Sequence, residues 1–306
     1  MRFLAALALL GATPLNAQTS PASPTVIFPG AFVVEHRRVE TGTDGSTFTT
    51  DPVTDYYGGS WLVSVRPNGS RVVLDFARRE ITEVDVTRGT YWTLTFLQMG
   101  DLRRRLARAE ERPVARTPQS ARVANAAARP EIRIEEIPEA SEKGSTGAHA
   151  ALGSPSGDRR GGLRHLRVSS KGSADVEVWA DRSLPLGPAA LTALEGFETD
   201  ALGATVPFEG RTAPELVSAA RRSAAALPVR TRFSSFEAEG SSFGSSPGSS
   251  PGSSLEDVAL RAEPLAAFPQ KLLLIGDGFR RVASPLESMV AFAEEEASRD
   301  SSRGGR

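Results

Sequence analysis

The sequence predicts an α+β fold dominated by an antiparallel sheet, and three observations lead there. Four apolar-alternating segments between Trp61 and Phe96 follow one another across short turns. That spacing leaves no room for the helical crossovers that parallel strands need. Strand-like segments then resume beyond residue 130, and helical periodicity occurs in only three or four places. In total the chain reads as about eight strands and three or four helices.

Taken in order, Ala31 to Val39 alternates with Phe32, Val34 and His36 on one face. Residues 40–55 are rich in Thr, Gly and Asp and read as a long loop. Trp61, Val63 and Val65 alternate with Leu62, Ser64 and Arg66. Pro67-Asn68-Gly69-Ser70 is a tight turn, because Asn-Gly tolerates the positive φ that hairpins need. Val72, Leu74 and Phe76 form the return strand, and Ile81 to Val86 a third. Arg88-Gly89 turns the chain into Thr90 to Phe96, dense in β-branched and aromatic residues.

Residues 97–111 then change period: Met99, Leu102, Leu106 and Ala109 lie at helical spacing, and Asp101 can pair with Arg105. The Arg103-Arg104-Arg105 run is followed at once by Glu110 and Glu111, so it reads as a solvated helix face. Further strands are expected around Ile132 to Ile137, Leu163 to Ser169, Asp175 to Asp181 and Val229 to Ala238. A helix begins near Pro188. Thr212-Ala213-Pro214-Glu215 and Ser284-Pro285-Leu286-Glu287 both match the capping box that starts a helix.

The chain ends and two inner stretches read differently. Arg2 followed by the apolar run Phe3 to Leu10, with Ala17 before a plausible cut, has the form of a secretory signal peptide over residues 1–17. The run is too short to span a bilayer. Export of the rest to a periplasm or the outside is therefore expected, with no integral membrane segment. Residues 18–30 read as a flexible lead-in, and residues 138–162 and 240–254 as disordered insertions. The second holds four Gly, eight Ser and two Pro and can bury nothing. A disordered tail is expected over 298–306, leaving a single domain over 31–297.

Composition removes several functions. Lys+Arg total 36 against Asp+Glu 37, which is not the balance of a nucleic-acid binder. No cysteine is present, so disulfides, thiolate metal sites and cysteine nucleophiles are absent. Gly240-Ser241-Ser242-Phe243-Gly244 has the outline of a nucleophile elbow but lies in low-complexity sequence. Gly276-Asp277-Gly278 lacks the spacing of a phosphate loop. His36 and His165 each sit in a strand; as neighbours they could hold a metal or relay a proton, and apart they are ordinary strand histidines. Asp175, Glu177 and Asp181 share a strand with Trp179, which suits either acid–base work or a polar outer face. No catalytic constellation, cofactor or metal is expected, and the chain reads as a non-enzyme.

What remains is apolar. Trp61, Phe76, Trp92, Leu94 and Phe96 are the candidate ligand-binding residues, able to line a groove on an open sheet or to close a dry core. The succession Phe32-Val33-Val34-Glu35-His36, Val72-Val73-Leu74-Asp75, Glu83-Val84-Asp85-Val86, Tyr91-Trp92-Thr93-Leu94-Thr95 and Glu177-Val178-Trp179-Ala180-Asp181 resembles the domain-of-unknown-function 4412 family of exported bacterial proteins. Ile275-Gly276-Asp277-Gly278-Phe279-Arg280-Arg281-Val282 is similar to that family's closing segment, with Gly276 where the family has Pro. The resemblance spans roughly residues 31–282. It implies a fold similar to the lipoprotein-carrier half-barrel: a curved antiparallel sheet with helices on its concave face. By that analogy the protein binds or carries a lipid or other apolar ligand in the periplasm. The competing expectation is a non-enzymatic envelope interaction or structural protein with a dry core.

Overall fold

A computed structural model of the chain describes residues 26–42, 44–110, 132–138, 162–170, 176–203, 214–234 and 254–303. Both capping-box reading at Thr212 and most of the Gly-Ser stretch fall outside these, as do the signal segment and nearly all of the 138–162 insertion.

The described residues form a mostly-sheet α+β fold with thirteen strands, against the eight or so expected, and four helices. The strands are β1 (Phe28–Thr41), β2 (Thr47–Thr49), β3 (Val53–Gly59), β4 (Trp61–Val65), β5 (Arg71–Asp75), β6 (Glu80–Asp85) and β7 (Thr90–Thr95). They continue with β8 (Ile132–Glu136), β9 (Leu163–Ser170), β10 (Val176–Pro185), β11 (Ala226–Ser234), β12 (Ser254–Leu265) and β13 (Arg280–Arg281). The helices are α1 (Phe96–Glu110), α2 (Pro188–Phe197), α3 (Pro214–Ala224) and α4 (Pro285–Arg303). A π-helical turn, Glu198–Gly203, extends α2.

All strands belong to one open sheet in the order β13-β7-β6-β5-β4-β3-β1-β12-β11-β10-β9-β8, with β2 added beside β1. Every pairing is antiparallel except β13 with β7. From β3 to β7 spatial order follows chain order, as the short turns demand. Gly69 takes φ 81° in the turn between β4 and β5, where the Ser70 amide is held by the Asn68 side chain at 3.0 Å. At the middle of the sheet β1 pairs with β12, more than two hundred residues away in sequence. Four of the strands were not legible as strands: β2 and β3 lie in or beside the stretch read as loop, and β12 and β13 lie where no element was expected.

Period-2 alternation divides the sheet into two faces. Phe32, Val34, Tyr57, Leu74, Ile81 and Leu94 share one face. Helical residues Leu102, Ala190, Leu194 and Val290 close over that face as the main core. Farther along, Val168, Val176 and Val178 pack under Leu216, Ala219 and Ala220 of α3. The opposite face is crossed by the chain between β12 and β13. There Phe268 packs on Trp61, with ring centroids 5.8 Å apart, and the Leu272 carbonyl accepts a hydrogen bond from Arg71 Nε at 2.8 Å. Gly58 is required at this crossing, since a Cβ would come within 2.9 Å of the Phe268 ring.

The capping box expected at Ser284 starts α4. The Glu287 amide donates to Ser284 Oγ at 3.1 Å, and the Ser284 amide donates to Glu287 Oε2 at 2.6 Å. The expected Asp101–Arg105 pair is replaced: Arg104 pairs with Asp101, and Arg105 reaches across to Glu294 of α4 at 2.9 Å. Among the described residues no helix is long and apolar enough to cross a membrane.

Candidate functional site

Where β1, β3 and β12 meet under α2 and α3, the packing leaves a cavity of about 340 Å³. Its wall is apolar over most of its extent, with Val34, Leu62, Leu74, Leu194, Phe197 and Val229 among the lining residues. Small-ligand sites typically occupy ~300–1,000 Å³, so this cavity is at the small end of that range.

Its polar end is built on His36, at the centre of the sheet. His36 lies opposite Val53 on β3 and opposite Ala259 on β12. The diagonal positions on the same face are Asp55 and Asp257, one on each side. His36 Nδ1 donates to Asp257 Oδ1 at 2.9 Å and Nε2 donates to Asp55 Oδ2 at 3.1 Å. Burial opposes the charged imidazole, but the hydrogen bonds to Asp257 and Asp55 and the charges of both carboxylates outweigh it, pushing its pKa up to about 10. At neutral pH the group is therefore an imidazolium that uses both N–H groups.

Further polar groups border the cavity, Glu198, Arg221 and Tyr57 among them. Arg221 of α3 pairs with Glu198, at the start of the π-helical turn, at 2.8 Å. Tyr57 stacks on Phe32 at 4.6 Å between ring centroids. Burial first, and then the Asp55 carboxylate, hold its phenol well above the usual range. An aromatic series runs from Tyr57 through Phe28, Phe76 and Phe96 to Phe197, so it touches the cavity at both ends and lies in the core between them.

The five ligand-binding residues expected from sequence lie elsewhere. Phe76, Leu94 and Phe96 are sealed in the main core, 7, 6 and 2% exposed. Trp92 is half-buried against that core. Trp61 faces the other side of the sheet, on Phe268. None of the five lines this cavity. The reason is physical: alternation shows that two residues share a face but not what covers that face. The residues that do line the polar end were missed because Asp55 and Asp257 sit on β3 and β12. His36 was the available signal.

The other sequence candidates separate. His36 on β1 and His165 on β9 are four strands apart, so they form no joint site. His165 stacks on Trp179 at 4.1 Å, and the Arg230 guanidinium covers that ring at 4.4 Å. Glu177 pairs with Arg167 at 2.7 Å, and Asp181 accepts hydrogen bonds from Ser183. Asp175 is outside the described residues. Among the described residues no group of three or more acidic or histidine side chains is arranged to hold a metal ion.

Comparison with known proteins gives little to add to this geometry. No protein-family model matches the chain, and no curated protein matches it. Among solved structures it is similar to an uncharacterized conserved protein from Thermus thermophilus, with a TM-score of 0.34 and 7% identity over 83% of this chain and 90% of that one.

Proposed function

We propose that the protein binds a lipid or other apolar ligand in the cavity beneath α2 and α3, as an exported protein of the periplasm or cell exterior. In this reading the sheet curves as a half-barrel around the ligand, in the manner of the domain-of-unknown-function 4412 family that the sequence resembles. One observation carries it: a cavity of about 340 Å³, half open to solvent and with mostly apolar walls, lies beside a closely packed core. Apolar wall left facing water costs roughly 25 cal/mol per Å², and an apolar ligand that covers it removes that cost. The signal-like residues 1–17 support export.

The competing reading is a dry scaffold that acts through its surface. It is favoured by the burial of Phe76, Leu94 and Phe96, which make the aromatic-rich sheet a core rather than a groove. A thermal-shift panel of single-chain alcohols, amines, fatty acids and phospholipids separates the two. Binding to the folded state stabilises it by RT ln(1 + L/Kd), with L the free ligand concentration, so the midpoint keeps rising with ligand concentration above Kd. Stabilisation by at least one member, growing logarithmically with its concentration, is the outcome expected of a binding protein, and an unmoved midpoint across the panel supports the scaffold.

A further inference from the structure

Resting on the reading of this cavity as a ligand pocket, we propose that it selects amphiphiles whose polar end donates hydrogen bonds, a primary ammonium above all, and disfavours those that end in a carboxylate. The polar lining carries the selection. His36 gives both N–H groups to Asp257 and Asp55, so it keeps no donor for an anionic headgroup. The three groups together hold one excess negative charge. Asp55 also lines the cavity, and its carboxylate is hydrogen-bonded by the Tyr57 phenol as well as by His36.

The positive groups nearby do not reverse the balance. Arg221 is paired with Glu198, and Arg230 is paired with Glu256 and lies over Trp179. Arg38 is exposed to solvent, where an ion pair is weak. A ligand carboxylate at the buried end would set a third negative charge beside Asp55 and Asp257 with one imidazolium among them. A ligand ammonium there would bring the cluster to neutrality. The hydrocarbon chain would lie on Leu62, Leu74, Leu194 and Phe197.

Calorimetric titration of the full chain with octylamine, octanol and octanoate at neutral pH tests this, since the three share one chain and stay below micelle formation. Octylamine is expected to bind tightest and octanoate weakest, with about a ten-fold or larger difference in Kd between them. The preference is expected to persist in about 0.5 M salt, which screens exposed charges but not buried ones. Asp55→Asn is expected to bring the amine level with the alcohol. If that variant does not fold, the salt-resistant ranking in the unaltered protein still decides. Equal binding of all three, tighter binding of octanoate, or an amine preference lost in salt or kept by Asp55→Asn overturns the headgroup selection alone. Binding of none of the three overturns the pocket as well.

Discussion

The two halves of the sheet are built from different materials. The meander β3 to β7 joins sequential strands by short turns, carries Phe76 and Leu94 on its core face, and is sealed by Phe96, Leu102 and Val290. The half from β12 to β9 is assembled from distant segments, and on the face opposite α3 it carries charged side chains such as Arg230, Glu256 and Glu177. The cavity lies at the seam, where β1 meets both. Aromatic density therefore marks the part of the molecule that holds itself together, and the mixed polar and apolar seam is the part that the packing leaves open.

The largest test of that contrast is in the meander. Phe96→Ala removes a ring that meets Phe76 at 6.1 Å and Phe197 at 4.9 Å. It is expected to cost about 3–5 kcal/mol in denaturant unfolding. Leu62→Ala, at the half-buried cavity wall, should cost well under half as much, because the void is already there. Equal losses would erase the distinction between sealed core and seam.

Next comes the contact between α1 and the π-helical turn that carries Glu198. A Cβ at Gly100 would overlap the backbone carbonyl of Asp200. Helix propensity alone favours Gly100→Ala by up to about 1 kcal/mol. Crowding is expected to reverse the sign and destabilise by about 1–3 kcal/mol. A stabilised variant would show that this turn has room to move.

The seam should also respond to pH. His36 is raised from 6.5 to about 10 in the folded state. A raised folded pKa gives stability that is complete below pH 6.5 and is lost as the pH climbs through 10. Unfolding free energy should thus fall across that window, and His36→Gln should flatten the fall. An unchanged alkaline slope in the variant would remove the charged triad from the description of the seam. The smallest effect belongs to α4, outside the comparison: Ser284→Ala breaks the capping box at a cost of about 1 kcal/mol in the same unfolding assay, with ligand binding unchanged.

Legibility followed the same division. β4 to β7 could be read from alternation and from the Asn68-Gly69 turn because each strand's neighbours are its sequence neighbours. The Ser284 box was readable because a cap needs only four residues. β3 hid among Thr, Asp and Gly. β12 hid because its pairing with β1 shifts register between Glu35 and His36, which breaks the period, and because the Gly-Ser repeat runs into it. With those two strands went Asp55 and Asp257, so His36 was visible but its partners were not. Trp61 shows the complementary limit: its place in a strand is written in the alternation, but its cover, Phe268, arrives from two hundred residues away.

A ligand in the seam cavity is what separates a binding protein from a dry scaffold. Native mass spectrometry of the protein purified from its own cell envelope tests it most directly, alongside Val229→Phe, which sets a ring into the cavity wall. A binding protein gives a lipid-sized adduct on the unaltered chain and loses it in Val229→Phe, while the two proteins stripped of ligand share one unfolding midpoint. A bare mass for both proteins, or an adduct that Val229→Phe leaves undiminished, contradicts it.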